Sequence, residues 1–259
     1  MELTQIQKEF TPALIAVSKK AGKAIMQYKM IEEGDKIAVA VSGGKDSISL
    51  LHVLRDRQRI SPVKFEFKAV HVDFGFADFD PKVLVEYLER EGFPYIVEKA
   101  RALEGRRWED IDCFLWSRHR RKALFVVADK MGFNKIAFGH HLDDIVETII
   151  LNQFYRGEIS AMKPKQVLFG GKIAIIRPLA LVREEQMIYL AKKLDILSMG
   201  QSKCANDDTS HRMIVKKMLR DFEHHNGDIV KNIFRSLHNI KTDYLLDPED
   251  SSPSPDGQD

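Results

Sequence analysis

The stretch KIAVAVSGGKDSISLL, Lys36 to Leu51, decides how this chain folds. Six residues of alternating β-branched and small apolar character read as a buried strand, and the apolar run from Ile48 reads as the start of a helix. Between them lie Ser42, Gly43, Gly44, Lys45, Asp46 and Ser47. Adjacent glycines permit unusual dihedrals and remove the Cβ atoms that would hold a ligand off the backbone. The amides that follow are the unpaired donors of a helix N-terminus, which favour an anion. Lys45 adds a cation, and Ser42 and Ser47 add hydroxyls. A carboxylate in the same loop, Asp46, makes sense beside a phosphate chiefly when a divalent cation lies between them. The four-residue spacer of a Walker loop is missing, so the loop does not follow the Walker pattern.

Outward from this loop the pattern repeats. Apolar runs at Lys36–Val41, Phe65–Asp73, Tyr95–Lys99, Lys135–His140 and Lys172–Pro178 read as five strands. Amphipathic helical patterns at Ser47–Arg57, Pro81–Glu91, Asp112–Met131, Asp143–Tyr155 and Arg183–Leu194 follow them. This alternation predicts an α/β fold, a doubly wound parallel five-stranded sheet with helices on both faces. The first strand should lie centrally, with strands two and three to one side and four and five to the other. A ligand then belongs at the carboxyl ends of strands one and four, where the order reverses. A helical segment over residues 1–30, starting or breaking at Pro12, precedes the α/β domain of residues 31–195. A helical region, residues 196–246 with patterns at Ser210–Phe222 and Asp228–Asp243, follows it. The acidic Ser/Pro-rich tail, residues 247–259, reads as disordered.

Composition narrows the setting. The chain has 259 residues, 44% hydrophobic and 30% charged, with a net charge of +2. No apolar run approaches membrane-spanning length and no signal pattern opens the chain. Two cysteines, Cys113 and Cys204, exclude a disulfide framework and suit reducing cytoplasm. The basic residues are clustered: Lys19, Lys20 and Lys23; Arg106 and Arg107; Arg118 to Lys122; Lys163 and Lys165; Lys216, Lys217 and Arg220. Several clusters fall near the expected ligand edge, as a nucleic-acid backbone would require, although solvated helix faces give the same pattern. Trp108, Phe114 and Trp116 are candidates either for stacking on an unpaired base or for core packing.

A second constellation, FGHHLDDIVETIILNQFY (Phe138–Tyr155), closes strand four and opens a helix. Gly139, His140, Asp143 and Asp144 would face the glycine loop there. Asp143 or Asp144 is placed to cap the helix, and a carboxylate of the pair to share Mg²⁺ with Asp46. His71 and Asp73, in AVHVDFGF, end strand two, where the adenine or ribose side of a nucleotide would rest.

The SGGKDS loop after a strand resembles the PP-loop ATP pyrophosphatases, of the adenine nucleotide alpha hydrolase-like fold. That resemblance implies that the loop holds the pyrophosphate leaving from ATP while AMP is attached to a substrate oxygen. Four further phrases, KKAGKAIMQYKMIEEGDKIAVAVSGGKDS, AFGHHLDDIVETIILNQFYRGE, IIRPLALVREEQM and HNGDIVKNIFRSLHNI, are similar to the tRNA 2-thiocytidine biosynthesis branch in order and spacing. The resemblance runs from about residue 15 to about 246. It implies ATP, Mg²⁺ and tRNA as ligands, adenylation of a cytidine O2, and sulfur transfer. A sulfur-donor protein and a second copy of the chain are further candidate partners.

It also implies a [4Fe-4S] cluster held by three cysteines, and there this chain departs from the pattern. Trp116 stands where a second cysteine would follow Cys113, and Gln201 where one would precede Cys204. An indole cannot replace a thiolate on a soft iron centre. Three accounts of Cys113 and Cys204 stay open: a pair that carries sulfur as persulfide or transient disulfide, a cluster with unusual ligands such as His119, or two inert thiols. Two other functions also stay open. One is an adenylating enzyme with an amine or ammonia as final nucleophile; the other is a nucleotide- or tRNA-binding protein without chemistry.

Overall fold

The computed structural model describes residues 11–75, 80–100, 113–196 and 211–245, with no side-chain description for residues 113–115. The strands are β1 (Asp35–Ala40), β2 (Phe65–Asp73), β3 (Tyr95–Lys99), β4 (Lys135–Ala137), β5 (Lys165–Leu168) and β6 (Ile173–Ile176). The helices are α1 (Pro12–Gln27), α2 (Lys45–Ile60), α3 (Lys82–Arg90), α4 (Cys113–Met131), α5 (Leu142–Arg156), α6 (Glu184–Lys193), α7 (His211–His225) and α8 (Ile229–Ser236).

One sheet runs in the order β3-β2-β1-β4-β6-β5. β1 pairs in parallel with β2 on one side and β4 on the other, so the order reverses where expected, beside β1. Alternation along β1 sorts its side chains by face. Ile37 and Val39 join a core with α1, α2, α3 and α6, while Ala38 and Ala40 join a second core under α4. A third cluster packs α5 against α7 and α8 through Ile145, Ile149, Val215, Leu219 and Val230.

The expected count of five strands is corrected to six. The added strand, β5, lies antiparallel to β6 at the sheet edge and is joined to it by a short turn, Phe169–Gly171. Its sequence, KQVL, carries no apolar alternation, because an edge strand has only one neighbour to satisfy and Val167 faces solvent. Two parallel strands are shorter than their apolar runs suggest, since β4 stops at Ala137 and β6 at Ile176 before the chain turns into the ligand edge. The last helical pattern likewise stops at Ser236, short of Asp243. Pro12 occupies the first turn of α1, where its missing N–H costs nothing.

Candidate active site

The glycine loop sits at the carboxyl end of β1. Gly43 has φ +83°, a conformation that an L side chain adopts only under strain, and Gly44 in extended geometry caps α2. The loop is laced to itself through hydroxyls. Ser47 Oγ donates to the Gly44 carbonyl at 2.9 Å and accepts from the Ser42 amide at 3.2 Å. Ser42 Oγ accepts the Gly44 amide at 3.3 Å. Lys45 Nζ donates to Asp46 Oδ2 at 2.8 Å, whereas Asp46 Oδ1 is buried with no hydrogen-bond partner. A buried carboxylate oxygen left unsatisfied is costly, and a cation is its natural complement.

The second constellation lies directly against this loop. A Cβ built on Gly139 would come within 3.0 Å of the Asp46 carbonyl carbon and oxygen and of the Ser47 nitrogen, so only glycine lets the two backbones meet. His140 follows, its ring 5.6 Å from that of Phe138 and its Nδ1 buried without a partner. Burial pushes the His140 imidazole down to about 4, Asp144 opposes that shift, and Arg177, Arg212 and Arg120 reinforce it. Three guanidinium groups from three different elements thus act electrostatically on one buried histidine.

The two aspartates are more occupied than their spacing suggests. α5 starts at Leu142, ahead of both, and Asp144 reaches back to accept the His141 amide at 2.9 Å, so the capping work falls to Asp144. Its other oxygen accepts Arg212 Nη2 at 2.7 Å. Asp143 accepts Arg183 Nε at 2.9 Å and the Glu184 amide at 2.6 Å, binding α5 to the start of α6. Burial would raise the Asp143 carboxyl, but His141, Arg183 and the Glu184 amide outweigh it and hold the group at about 2. Asp46 therefore keeps a carboxylate oxygen without a protein partner, while both Asp143 oxygens are engaged. Among the described residues no group of three or more His, Cys, Asp or Glu side chains forms a preformed metal cage. Mg²⁺ rarely has one, taking one or two carboxylates plus substrate phosphates.

His71 is buried beside β1, its Nδ1 3.0 Å from the Val41 carbonyl, and burial lowers its basicity. Asp73 ends β2 and accepts the Gly75 amide at 2.9 Å through Oδ1. Cys204 and Trp108 lie outside the described residues; of Cys113 and Phe114 only the place at the start of α4 is described. Trp116 packs against the second core beneath the Arg120 guanidinium, 5.0 Å from its ring.

Sequence reading passed over Arg177, which enters from the end of β6. Its Nη1 donates to the Lys163 carbonyl at 2.5 Å, its Nε is buried without a partner, and burial lowers its basicity to about 10. The signal was its place in IIRPL, directly after a strand of the sheet. Arg212 was equally silent, because its partners Asp144 and Glu147 lie more than 60 residues away.

The PP-loop domain family matches residues 15–220, the glycine loop included. The chain belongs to the PP-loop family. A tRNA-cytidine(32) 2-sulfurtransferase of Geobacter sulfurreducens is 38% identical over 239 residues, 90% of this chain and 93% of the relative. One from Delftia acidovorans is 38% identical, covering 95% of this chain and 80% of its own. Among solved structures, the U34-tRNA thiolase NcsA of Methanococcus maripaludis, with its [4Fe-4S] cluster, superposes with a TM-score of 0.70. That match spans 88% of this chain and 80% of NcsA at 22% identity, a likeness of fold. The PP-loop assignment accounts for the glycine loop and for the reversal of strand order beside it.

Proposed function

We propose that this PP-loop protein is an ATP-dependent tRNA sulfurtransferase that adenylates a tRNA cytidine at O2 and replaces the adenylate oxygen with sulfur. The observation that carries the reading is the Gly139 contact, which brings the two signatures directly against each other. The similarity to tRNA-cytidine(32) 2-sulfurtransferases over nine-tenths of the chain supports the choice of substrate.

The residues divide the work by position. The α2 amides behind Gly43 and Gly44, with Lys45 and Ser47, hold the outgoing pyrophosphate. His71 and Asp73 flank the nucleoside side of ATP, and Gly139 and His140 border the α-phosphate. The cytidine O2 attacks the α-phosphorus, pyrophosphate leaves, and the O2–AMP bond converts a poor leaving group into a good one. A sulfur nucleophile then adds at C2 and expels AMP. Asp46 would hold Mg²⁺ through its unpartnered oxygen, with a carboxylate of the Asp143–Asp144 pair to assist once it gives up a protein partner; the ion would neutralise charge on the phosphates. Arg177 and Arg120 add fixed positive charge beside His140.

The donor set does not fit a cluster held by three thiolates. The chain has two cysteines, and the side chain at position 116 is an indole packed against the second core. No step here runs through a cluster. Cys113 and Cys204 are the thiols through which sulfur would be delivered, with Cys113 heading a helix whose basic residues favour a thiolate. No described helix is long and apolar enough to cross a membrane, and a cytoplasmic tRNA pool suits the proposed substrate.

The test combines ATP, magnesium and bulk tRNA from cells lacking this chain, reading pyrophosphate and digested nucleosides by mass spectrometry. Unaltered protein should release pyrophosphate and produce a thiolated cytidine. Lys45→Ala should lower pyrophosphate release at least a hundredfold, in the range seen when a transition-state charge contact is removed. Cys113→Ser with Cys204→Ser should keep pyrophosphate release and lose the thionucleoside. Full pyrophosphate release by Lys45→Ala would sink the assignment of the loop.

A further inference from the structure

α4 presents a second, basic face. Residues at helical spacing along it, Arg118, Arg121, Lys122 and Phe125, border a groove of about 870 Å³ whose other wall is the β5–β6 turn with Phe169 and Lys172. The floor is apolar. The rings of Phe125 and Phe169 meet edge to face at 5.1 Å, and Phe169 remains 61% exposed although it is a large aromatic side chain. The rim is basic, and among the described residues Arg118, Arg121 and Lys122 have no carboxylate at ion-pair distance. The single acid of the lining, Asp129, is tied to Lys172 at 2.5 Å.

We infer that this groove binds a single-stranded segment of the RNA substrate, an unpaired base lying on Phe169 and flanking phosphates on Arg118, Arg121 and Lys122. The inference rests on the proposed tRNA reading and adds a docking surface to it. Aromatic surface ringed by cations is what unpaired nucleotides require, whereas a duplex hides its base faces. A second copy fits poorly, because a two-fold contact through this groove would bring two sets of the same cations together. The groove also adjoins the site: Arg121 acts electrostatically on Arg177, and the neighbouring Arg120 faces His71 and His140.

The test measures the dissociation constant of bulk tRNA from cells lacking this chain, at several salt concentrations, beside binding of a fluorescent ATP analogue. Phe169→Ala should weaken tRNA binding about tenfold with an unchanged salt slope. The Arg118→Gln, Lys122→Gln double variant should weaken it similarly and reduce the salt slope by about 1 to 2. Both should bind the ATP analogue as before, which also shows that they fold. Unchanged tRNA affinity in both variants overturns the groove alone. So does a change of oligomeric state in Phe169→Ala with tRNA affinity intact, which would make this face a contact between copies. No tRNA binding by unaltered protein would overturn the tRNA reading together with the groove.

Discussion

A methyl group added at Gly139 would meet the backbone of Asp46 and Ser47 at 3.0 Å, and backbone at the start of a helix cannot step aside. The neighbours that must move belong to the loop proposed to hold pyrophosphate, so the cost should fall on the site as well as on stability. Gly139→Ala is expected to destabilise the fold by about 1 to 3 kcal/mol, the usual cost of overpacking. It should also raise the KM for ATP by at least tenfold while the protein remains cooperatively folded. Thermal melts and pyrophosphate release as a function of ATP concentration check both parts; a normal KM would mean that the loop tolerates displacement. Glycine here serves space rather than dihedral freedom, in contrast to Gly43. That distinction cannot be read from the letters GH, because it depends on a loop 92 residues earlier in the chain coming to lie alongside.

Elements, rather than residues, carry the link between the nucleotide edge and the carboxyl-terminal helices. α7 reaches α5 through Arg212, which donates to Asp144 and Glu147, and reaches α6 through Lys216 on Glu184; Glu223 of α7 accepts from Arg183. Glu147 is buried, and burial raises its carboxyl above the usual range, with Arg212 opposing that shift. Removing the guanidinium leaves that carboxyl without its cation. Because Arg212 is itself 41% exposed, Arg212→Ala should cost only about 1 to 2 kcal/mol, below the figure for a fully buried pair. Adding Glu147→Gln should return at least half of the loss in urea melts. Equal instability of the single and double variants would show that this pair does not latch α7. At this scale the sequence was legible wherever an element faces a single environment. β1 shows as an apolar run because both its faces are covered, and α5 announces itself through HHLDD. β5 stayed hidden because an exposed edge strand needs no apolar pattern, and the arginine set stayed hidden because its meaning exists only after the chain has closed.

Across the whole molecule, charge is arranged by sheet edge. At the amino ends of the strands Lys135 is buried between Asp35 and Glu32, 3.6 and 3.5 Å away, a closed arrangement that serves stability. At the carboxyl ends unpartnered polar atoms accumulate, on Asp46, His140 and Arg177, as a surface prepared for an anionic ligand would have them. His140 and His141 stand side by side at this edge yet shift in opposite directions. Burial, aided by the arginines, takes His140 from 6.5 to about 4. Burial alone would also lower His141, but the Asp143 contact together with Asp144 and Asp46 holds it above 6.5. The unfolded chain binds a proton at His140 near pH 6.5 and the folded chain does not, so stability is lost as pH falls from 6.5 towards 4, by about 2 to 3 kcal/mol. His141 acts in the other direction: its contribution is complete below 6.5 and fades as pH rises through its elevated folded value. Asp143 extends the acid limb, since its stabilisation is present above 3.8 and disappears as pH falls through about 2. Ligand-free protein should therefore melt highest near pH 6.5. His140→Gln should flatten the limb between pH 6.5 and 4, and His141→Gln the limb above 6.5, whatever each does to the absolute melting temperature. Melting curves from pH 4 to 9 decide it: if both variants retain the slopes of the unaltered protein, the two imidazoles are not held in opposite charge states at this edge.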